Sequence, residues 1–394
     1  MRAVVIGPGR IGCGFAGHVL REAGYDVTFV GRPPVVAHLR QAGRYAVRLV
    51  DGANRREITV AGITALDTRQ TTEVADAIAA ADLVVTAVGP ANLTAAARLL
   101  ARGLAGAKHS VNVIACENLP DAGARVRRAV AGQIGGNPHG FSGAVVGRVV
   151  AHRLLPARPD QPLVLIGDPV CEFAVDASAL ATPLPPIRGL IPVEDYGAWY
   201  RRKLYRYSAG HATAAYLGHL KGHQYVHAAI RDPEIRAAVR AAMLEGQAGL
   251  RAAYGDRVAG DGSEIEAIMR RIDNAGVADT VRRVGRDPRR KLAPEDRLIG
   301  PASLALRAGV PPTALARAAA AALCFWDPED TGAVALRGWL DRGDGPAVLH
   351  RLCGLEPGSE LFCLITEAWR GFAPGWQQGN LLLCLDRPRW AWVT

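Results

Sequence analysis

Short apolar runs alternate with amphipathic segments through the first half of the chain. Ala3–Gly7 is an apolar run that closes on a glycine-rich turn, and Phe15, Val19 and Leu20 then recur at helical spacing. Three more apolar runs follow, at 27–30, 82–88 and 110–115. The last two runs are nearly continuous, which is typical of parallel strands that are covered on both faces. Because such strands alternate with helices, the pattern predicts an α/β fold with a doubly wound sheet.

The pattern changes after a proline-rich segment at 183–192. From Tyr196 onward, alanine-rich helical patterns dominate and strand signals are few. A chain of 394 residues also exceeds the size of one ordinary core. We therefore predict an N-terminal sheet domain at 1–192 and a mainly α-helical C-terminal domain at 193–394.

Two smaller features interrupt this organisation. The runs 46–50 and 58–63 flank Asp51 and Gly52, which predicts a hairpin inserted into the first domain. Residues 376–394 form a C-terminal extension, and we expect its apolar run at 381–385 to form an edge strand or a docking arm.

Gly7, Gly9 and Gly12 form the pattern G-x-G-x-x-G between the first strand and the first helix. The first glycine allows a tight turn, the second lets the backbone approach a pyrophosphate, and the third lets the helix pack on the strand. The N-terminus of the helix then presents its partial positive charge to the phosphates. The loop therefore predicts a Rossmann dinucleotide-binding domain, to which Arg10 and Ile11 contribute from the same turn.

The end of the second strand indicates which dinucleotide binds. An acidic residue there accepts hydrogen bonds from the adenosine ribose and repels a 2′-phosphate. This chain has Gly31 and Arg32 instead, so the repulsion is absent and a planar cation suited to a phosphate is present. We expect NADP(H) to be preferred, with NAD(H) also able to bind. A solvated surface role for Arg32 is the alternative.

The segment 203–211, Lys-Leu-Tyr-Arg-Tyr-Ser-Ala-Gly-His, carries a lysine and a histidine in one predicted helix. Together with Gly-His-Gln at 222–224 and Ala-Cys-Glu-Asn at 115–118, it resembles the signature of the polyol-specific long-chain dehydrogenase/reductase family. The resemblance covers about residues 1–375 and is greatest to the mannitol-1-phosphate dehydrogenases. It implies metal-independent hydride transfer between a nicotinamide coenzyme and a secondary alcohol or ketone of a polyol or sugar phosphate.

The resemblance also implies the roles of the site residues. Lys203 acts as the general base, a task for which a lysine needs its pKa lowered by burial or by nearby cations. Asn118, His211 and Ser208 hold the substrate oxygen, as an oxyanion hole does. Coenzyme contacts are expected from Val88, Gly89, Glu117 and Asn118. The cations that neighbour the lysine in sequence are Arg201, Arg202 and Arg206.

Three positions depart from the pattern of this family. Ser208 stands where the family has an Asn, Gly31 where it has an Asp, and Gly147 where an Asp precedes the arginine at 148. A serine hydroxyl has a shorter reach than an asparagine amide. The departures near the sugar site therefore predict a substrate that has diverged from mannitol 1-phosphate.

A basic run at 284–292, continued at 295–299, also resembles a segment of the family. Such runs usually form a solvated face, but this one can equally anchor a substrate phosphate through bidentate contacts. The candidate substrate-binding residues are Arg290, Lys291 and Arg297, with Arg286 and Arg289 in the same run.

His219, His223 and His227 recur at intervals of four residues, a spacing that can create a metal site on a helix. We predict no metal site there, because Gly222 weakens the helix and no Glu or Cys completes a ligand set. The resemblance to metal-independent dehydrogenases points the same way.

Charge and cysteine content limit the partners and the compartment. The net charge of +10 arises from 47 Lys and Arg against 37 acidic residues, without a basic tail, so we expect phosphorylated small molecules and not nucleic acid as partners. The seven cysteines form no C-x-x-C pair, and the sequence shows no apolar run of about 18 residues and no charged leader. We therefore expect a cytoplasmic protein without a membrane segment. We also expect a monomer or a dimer, although the sequence does not decide between them. Two rival functions are an opine or hydroxy-acid type reductase, and a dinucleotide-binding sensor without turnover.

Overall fold

The protein divides into two compact units, Met1–Tyr200 and a second that begins at Arg201. The structure, a computed structural model, describes residues 1–134, 139–158, 160–342 and 345–372. The predicted extension at 376–394, with its apolar run, lies outside the described residues.

The first unit is built on two sheets. Its strands are β1 Arg2–Ile6, β2 Asp26–Gly31, β3 Arg44–Asp51, β4 Asn54–Ala61, β5 Thr64–Asp67, β6 Leu83–Thr86, β7 Asn112–Ala115, β8 Gly140–Val146, β9 Val150–Leu154, β10 Leu163–Gly167, β11 Phe173–Asp176 and β12 Leu190–Val193. Its helices are α1 His18–Glu22, α2 Pro33–Ala42, α3 Thr71–Ala79, α4 Leu93–Ala105 and α5 Ala122–Val130, and a π-helical turn, Gly12–Gly17, leads into α1.

The larger sheet has the strand order β12-β11-β8-β7-β6-β1-β2-β5. The strands from β5 to β8 in this order are parallel, and only the pair β8–β11 is antiparallel. Strands β6 and β7 are buried along their whole length, as the continuous apolar runs predicted. The α/β class with a doubly wound sheet is therefore confirmed, and β1, β2, β6, β7 and β8 end at one edge, where such sheets bind ligands.

The smaller sheet has the order β4-β3-β10-β9. Strands β3 and β4 pair antiparallel from Arg44 opposite Ala61 to Asp51 opposite Asn54, which confirms the predicted hairpin. Strand β10 pairs parallel with β3 although more than a hundred residues separate them in sequence. The sequence pattern did not predict the strands between 140 and 193, because their partners lie far away in the chain.

The second unit is helical in its described residues. The division of the chain falls within α6 Tyr196–Lys203, and a π-helical turn, Leu204–Ser208, follows it. The further helices are α7 Ala209–Leu220, α8 Val226–Ala229, α9 Pro233–Tyr254, α10 Asp256–Ala259, α11 Gly262–Ile272, α12 Val281–Gly285, α13 Pro288–Lys291, α14 Ile299–Arg307, α15 Thr313–Leu323, α16 Thr331–Leu340, α17 Gly345–Cys353 and α18 Glu360–Phe372. Alanine-rich faces of α7, α9 and α15 pack together, so the backbones approach closely and form one core.

Two observations concern the compartment. In the described part of the chain, no helix has both the length and the apolar character needed to cross a membrane. The six cysteines for which side chains are described carry free thiols.

A buried arginine ties the two sheets of the first unit to α1. Arg148 donates from Nη1 to the carbonyl of Gly14 and to Nδ1 of His18, each at 3.0 Å, and its guanidinium lies 5.1 Å from the ring centroid of Phe15. His18 is only 2% exposed. Burial, and then the charge of Arg148, lower the pKa of His18 to about 4. The imidazole is therefore neutral in the folded protein at neutral pH and accepts the arginine's hydrogen bond.

We expect this histidine to make the protein sensitive to acid. Its folded pKa lies below the unfolded value of about 6.5, so its contribution to stability is complete above that value and is lost as the pH falls towards 4. By linkage, the free energy of unfolding should fall by about 2 kcal/mol between about pH 7.5 and about pH 5 on account of this group. Urea unfolding at both pH values measures the loss.

The variant His18→Gln keeps an acceptor for Arg148 but carries no titratable group. It should show a pH dependence of unfolding that is smaller by that amount, whereas His109→Gln, at an exposed histidine, should behave as the wild type. An unchanged pH dependence in His18→Gln would contradict the assignment.

Candidate active site

The glycine loop joins β1 to the first helical turn. Gly7 has a φ of 101°, its amide donates to the carbonyl of Val30 at 2.8 Å, and the amide of Gly9 donates to the carbonyl of Gly7 at 2.7 Å. A Cβ atom at Gly12 would lie 2.0 Å from the carbonyl oxygen of Gly7. The chain can close this turn only with glycines at 7 and 12, which is the backbone condition for a dinucleotide loop.

A pocket of about 1010 Å³ opens beside this loop. It is lined by the predicted coenzyme residues Gly7, Gly9, Gly31, Arg32 and Val88. Its described lining does not include the other predicted contacts, which are Arg10, Ile11, Gly12, Gly89, Glu117 and Asn118. It does include residues that the sequence did not single out, among them Pro8, Thr68, Asn92, Arg98, Arg102 and Arg153.

Glu117 fixes the backbone at the ends of β6 and β7. Its buried carboxylate accepts hydrogen bonds from the Thr86 hydroxyl at 2.7 Å and from the Val88 amide at 2.9 Å. Burial raises the pKa of Glu117, and the hydrogen bonds oppose that shift. Both carboxylate oxygens are occupied by these internal hydrogen bonds. Glu117 therefore acts on a coenzyme indirectly, by fixing the backbone at Val88.

Asn118 follows Glu117 at the carboxyl end of β7. Its side chain is exposed, and within the described residues its amide makes no hydrogen bond. The loop around it is held by the hydroxyl of Tyr196, which donates to the carbonyl of Leu119 at 2.8 Å. An Asn whose only role is to complete a turn forms a hydrogen bond from its side chain to the backbone. The side-chain amide of Asn118 forms no such bond, so it is available to a ligand.

Ser208 lies at the end of the π-helical turn that follows Lys203. Backbone hydrogen bonds in a π turn join residues five apart, which is the separation of Lys203 and Ser208 in the chain. Ser208 is 7% exposed, and its hydroxyl makes no hydrogen bond within the described residues. The sequence predicted a helix here but gave no signal for the π turn.

The arginines beside Lys203 in sequence are paired with carboxylates. Arg202 and Arg206 both donate to Oε2 of Glu264, at 2.8 and 2.6 Å, and Arg201 lies 3.8 Å from a carboxylate oxygen of Glu295. The effect of these cations on the pKa of the lysine is therefore reduced by their carboxylate partners. Glu264 and Glu295, which are distant in sequence, offset that charge.

His211 stands on α7 against a buried ion pair. Asp279 lies 3.5 Å from Nε2 of His211 and is held by both arms of the Arg283 guanidinium. Burial lowers the pKa of His211 to about 4, although Asp279 acts in the opposite direction. Nε2 is thus the ring nitrogen that faces the carboxylate, and a neutral imidazole has one donor and one acceptor nitrogen.

The low pKa of His211 bears on the part that it can play. The predicted role as a donor to a negatively charged substrate oxygen stays a prediction, and a neutral ring with Nε2 facing Asp279 can also accept a hydrogen bond at Nδ1. Such a ring accepts a hydrogen bond from a substrate hydroxyl. Sequence reasoning missed Asp279 and Arg283, since their contact with His211 depends on the packing of α12 against α7.

The basic run is divided between buried and exposed side chains. Lys291 is 3% exposed and donates to the carbonyl of Arg286, and burial followed by the charges of Arg297 and Arg290 lowers its pKa well below the usual range. Arg290 and Arg297 both pair with Asp296, and Nη2 of Arg297 is buried without a partner among the described residues. The run is therefore only partly the solvated face that was one of its two interpretations.

The three histidines do not form a stripe. Helix α7 ends at Leu220, the ring of His219 packs 4.7 Å from that of Phe325, and His227 stacks on Tyr225. Among the described residues, no group of three or more His, Cys, Asp or Glu side chains is placed to hold a metal ion.

Gly147 lies at the carboxyl end of β8 beside Glu172. A Cβ atom at 147 would lie 2.7 Å from Cβ of Glu172 and 3.3 Å from its Oε2. The acidic side chain that the family pattern has at this position has no room here, and the Glu172 carboxylate lies in its place. The sequence offered no signal for this exchange.

A glycine loop on a Rossmann sheet, followed by a mainly helical unit, is the architecture of a two-domain pyridine-nucleotide oxidoreductase. Residues 1–189 match the model of the mannitol dehydrogenase Rossmann domain, and residues 195–339 match that of the mannitol dehydrogenase C-terminal domain. The chain belongs to the mannitol dehydrogenase family, and it is an oxidoreductase that acts on CH–OH groups.

Similar proteins span nearly the whole chain. The mannitol-1-phosphate 5-dehydrogenase of Bacillus licheniformis is 36% identical over 378 residues, which are 93% of this chain and 98% of that protein. The enzyme of the same name from Pseudarthrobacter chlorophenolicus is 37% identical over 373 residues, 92% of this chain and 95% of that protein. The structure of Pseudomonas fluorescens mannitol 2-dehydrogenase in a ternary complex with NAD and D-mannitol superposes with a TM-score of 0.74 at 17% identity, covering 98% of this chain and 95% of that one, and so shares its fold.

Proposed function

We propose that the protein is a cytoplasmic NAD(P)-dependent dehydrogenase or ketone reductase whose substrate is a polyol or a sugar phosphate. The observation that carries the proposal is the helical run 203–211, in which a π turn leads from Lys203 to Ser208 and α7 carries His211 at 3.5 Å from Asp279. Relatives named mannitol-1-phosphate 5-dehydrogenase support the substrate class. No metal ion takes part in the mechanism that we propose.

In this mechanism Lys203 accepts the proton of the substrate hydroxyl as a hydride leaves the carbon that bears this hydroxyl. In the reductive direction Lys203 returns the proton to the oxygen. A bound nicotinamide supplies the chemistry of the hydride. Asn118 donates from its amide to the substrate oxygen, and Ser208 assists with its hydroxyl. His211, neutral and fixed by Asp279, accepts a hydrogen bond from a substrate hydroxyl at Nδ1.

The basic run supplies the anchor for a substrate phosphate. Arg297 offers a buried Nη2 without a protein partner, and a phosphate oxygen is the ligand that satisfies such a donor. Arg290 contributes positive charge beside it, and Lys291, whose buried amine has a lowered pKa, gains its proton more readily when a phosphate is bound. Arg289 is better explained as structural, since its guanidinium lies 4.2 Å from the ring centroid of Trp339.

We propose NADP(H) as the preferred coenzyme, with NAD(H) also able to bind. The wall of the pocket at the end of β2 carries Gly31 and Arg32, with no carboxylate to repel a 2′-phosphate. The coenzyme is expected to lie with its pyrophosphate against the glycine loop.

Ser208 is expected to lower activity on the substrates of the similar enzymes. A serine in place of an asparagine shortens the reach of the donor, so mannitol 1-phosphate and fructose 6-phosphate should be poor substrates, and Ser208→Asn should improve both. Steady-state kinetics in both directions measure the change in kcat/KM. A wild-type kcat/KM for fructose 6-phosphate within the ordinary range of about 10⁴–10⁸ M⁻¹s⁻¹ would contradict this prediction.

A substrate panel tests the proposed function against its rivals. Turnover of polyols, ketoses or their phosphates with NADP(H) supports it, whereas turnover of 2-oxo acids alone identifies a reductase of the opine or hydroxy-acid type. Tight coenzyme binding without turnover of any compound identifies a sensor. The free amide of Asn118 and the fixed His211 favour an enzyme over a sensor.

A further inference from the structure

The coenzyme pocket carries four arginines and no acidic residue in its described lining. These are Arg32 after β2, Arg98 and Arg102 on α4, and Arg153 on β9. No carboxylate of the described residues lies within ion-pair distance of any of them, whereas other arginines of the first unit, such as Arg48 and Arg69, do have such partners. The wall of the pocket therefore carries the positive charge of four arginines without a carboxylate partner, and not that of Arg32 alone.

Arg98 and Arg102 lie one turn apart on the same face of α4. Residues at i and i+4 on a helix are neighbours, and like charges there destabilise the helix by a few tenths of a kcal/mol. Ala95 and Leu99 share this face and also line the pocket, so both arginines belong to one wall of the cavity. A doubly charged anion placed between two such guanidiniums removes their repulsion and accepts paired hydrogen bonds.

Pro8 excludes an acidic residue from the end of β2. A Cβ atom at Gly31 would lie 2.4 Å from Cγ and 2.5 Å from Cδ of Pro8. The pyrrolidine ring cannot swing aside, since it belongs to the same tight turn that Gly7 and Gly9 close. Pro8 and Gly31 are thus a coupled pair, and no side chain fits at 31 while proline occupies position 8.

We infer that coenzyme selection rests on two devices in the first unit beyond Arg32: Arg98 and Arg102 bind the 2′-phosphate of NADP(H), and Pro8 excludes the carboxylate that would favour NAD(H). The inference rests on the proposed function only in taking the pocket for the adenosine side of a dinucleotide. It assigns the phosphate to α4, a helix that the glycine loop pattern does not include.

Calorimetric titration with adenosine bisphosphates tests the arginine pair without any need for turnover. The wild type should bind adenosine 2′,5′-bisphosphate at least about tenfold more tightly than 5′-AMP, because hydrogen bonds to charged groups contribute about 1.5–3 kcal/mol. The variant Arg98→Gln/Arg102→Gln should lose this preference. Arg127→Gln, at an exposed helical arginine outside the pocket, should keep it.

Adenosine 3′,5′-bisphosphate tests whether the site recognises a phosphate at the 2′ position, as in NADP(H), or one at the 3′ position. Weaker binding of the 3′ compound supports the assignment to the 2′-phosphate. Equal binding of the two bisphosphates, or an unchanged 2′ preference in the double variant, overturns it.

The Pro8 device is tested with Gly31→Asp, alone and combined with Pro8→Ala. The single variant should bind both NADH and NADPH poorly and unfold at a lower temperature, because its side chain meets the proline ring. The double variant should recover the unfolding temperature and bind NADH more tightly than NADPH. If Gly31→Asp alone matches the double variant in stability and in NADH affinity, the steric role of Pro8 is refuted.

These outcomes remain separate from the fate of the proposed function. If the protein binds the 2′,5′-bisphosphate through Arg98 and Arg102 but oxidises or reduces no substrate, the assignment of the phosphate site holds and the proposed function is wrong. If the protein reduces ketose phosphates equally well with NADH and NADPH, and binds 5′-AMP as tightly as the bisphosphate, the proposed function holds and the assignment of the phosphate site is wrong.

Discussion

Replacement of Lys203 with methionine is expected to lower kcat by about 10²–10⁴-fold, the usual effect of losing a general base. Methionine keeps the length and packing of the side chain but removes the amine, so the loss reports chemistry and not shape. Coenzyme affinity should remain that of the wild type, because the glycine loop and the pocket of the first unit do not contain this residue. Steady-state rates and a fluorescence titration with NADPH measure the two quantities.

The pH profile gives the same prediction a second readout. Alcohol oxidation should accelerate as the pH rises through one ionisation of the base, and that limb should vanish in Lys203→Met. His211 does not supply the limb, because its pKa of about 4 leaves it uncharged throughout the neutral and alkaline range. Lys108→Met, at an exposed lysine, is the matched control and should retain both rate and profile. An unaltered kcat and profile in Lys203→Met would show that Lys203 is not the base and would overturn the mechanism.

Gly12→Ala is expected to abolish dinucleotide binding and to destabilise the first unit. The added methyl would lie 2.0 Å from the carbonyl oxygen of Gly7 and 3.0 Å from its carbonyl carbon. Backbone atoms inside a closed turn cannot move aside as a flexible side chain does, so we expect a cost of at least the roughly 1–3 kcal/mol of ordinary overpacking. Urea unfolding and NADPH titration measure both effects.

Gly9→Ala is the matched control for steric crowding in the free protein. A Cβ atom at Gly9 would meet nothing closer than the Gly7 oxygen at 4.0 Å, so this variant should unfold as the wild type does. It should still bind NADPH more weakly, because position 9 is where the backbone approaches the pyrophosphate. Wild-type stability and affinity in Gly12→Ala would show that the loop does not require glycine there.

Much of the first unit could be predicted from short stretches of sequence. The continuous apolar runs predicted the buried strands β6 and β7, and Asp51-Gly52 predicted the hairpin of β3 and β4. These predictions succeeded because a strand's burial and a two-residue turn depend on the residues within them. The strands after residue 140 escaped prediction, since β10 completes its pairing with β3 from a distant part of the chain.

The candidate site was predictable only in its own motif. The types and spacing of Lys203, Ser208 and His211 pointed to proton transfer, and their assignment as site residues stays a prediction. Their surroundings came from elsewhere, since Glu264 pairs with two adjacent arginines and Asp279 lies 3.5 Å from Nε2 of His211. Charge and tautomer are properties of contacts between helices, which no local pattern records.

The sequence by itself determined the glycine loop, the doubly wound sheet, the helical second unit and the family, because sterics and hydrophobic periodicity act over a few residues. The tertiary structure decided how the site is charged and shaped. It placed Arg98 and Arg102 at the wall of the pocket beside the glycine loop, set Pro8 next to Gly31, and put the Glu172 carboxylate beside Gly147. Each of these contacts joins residues from different segments of the chain. The strength of such an interaction depends on distances that only the folded chain fixes.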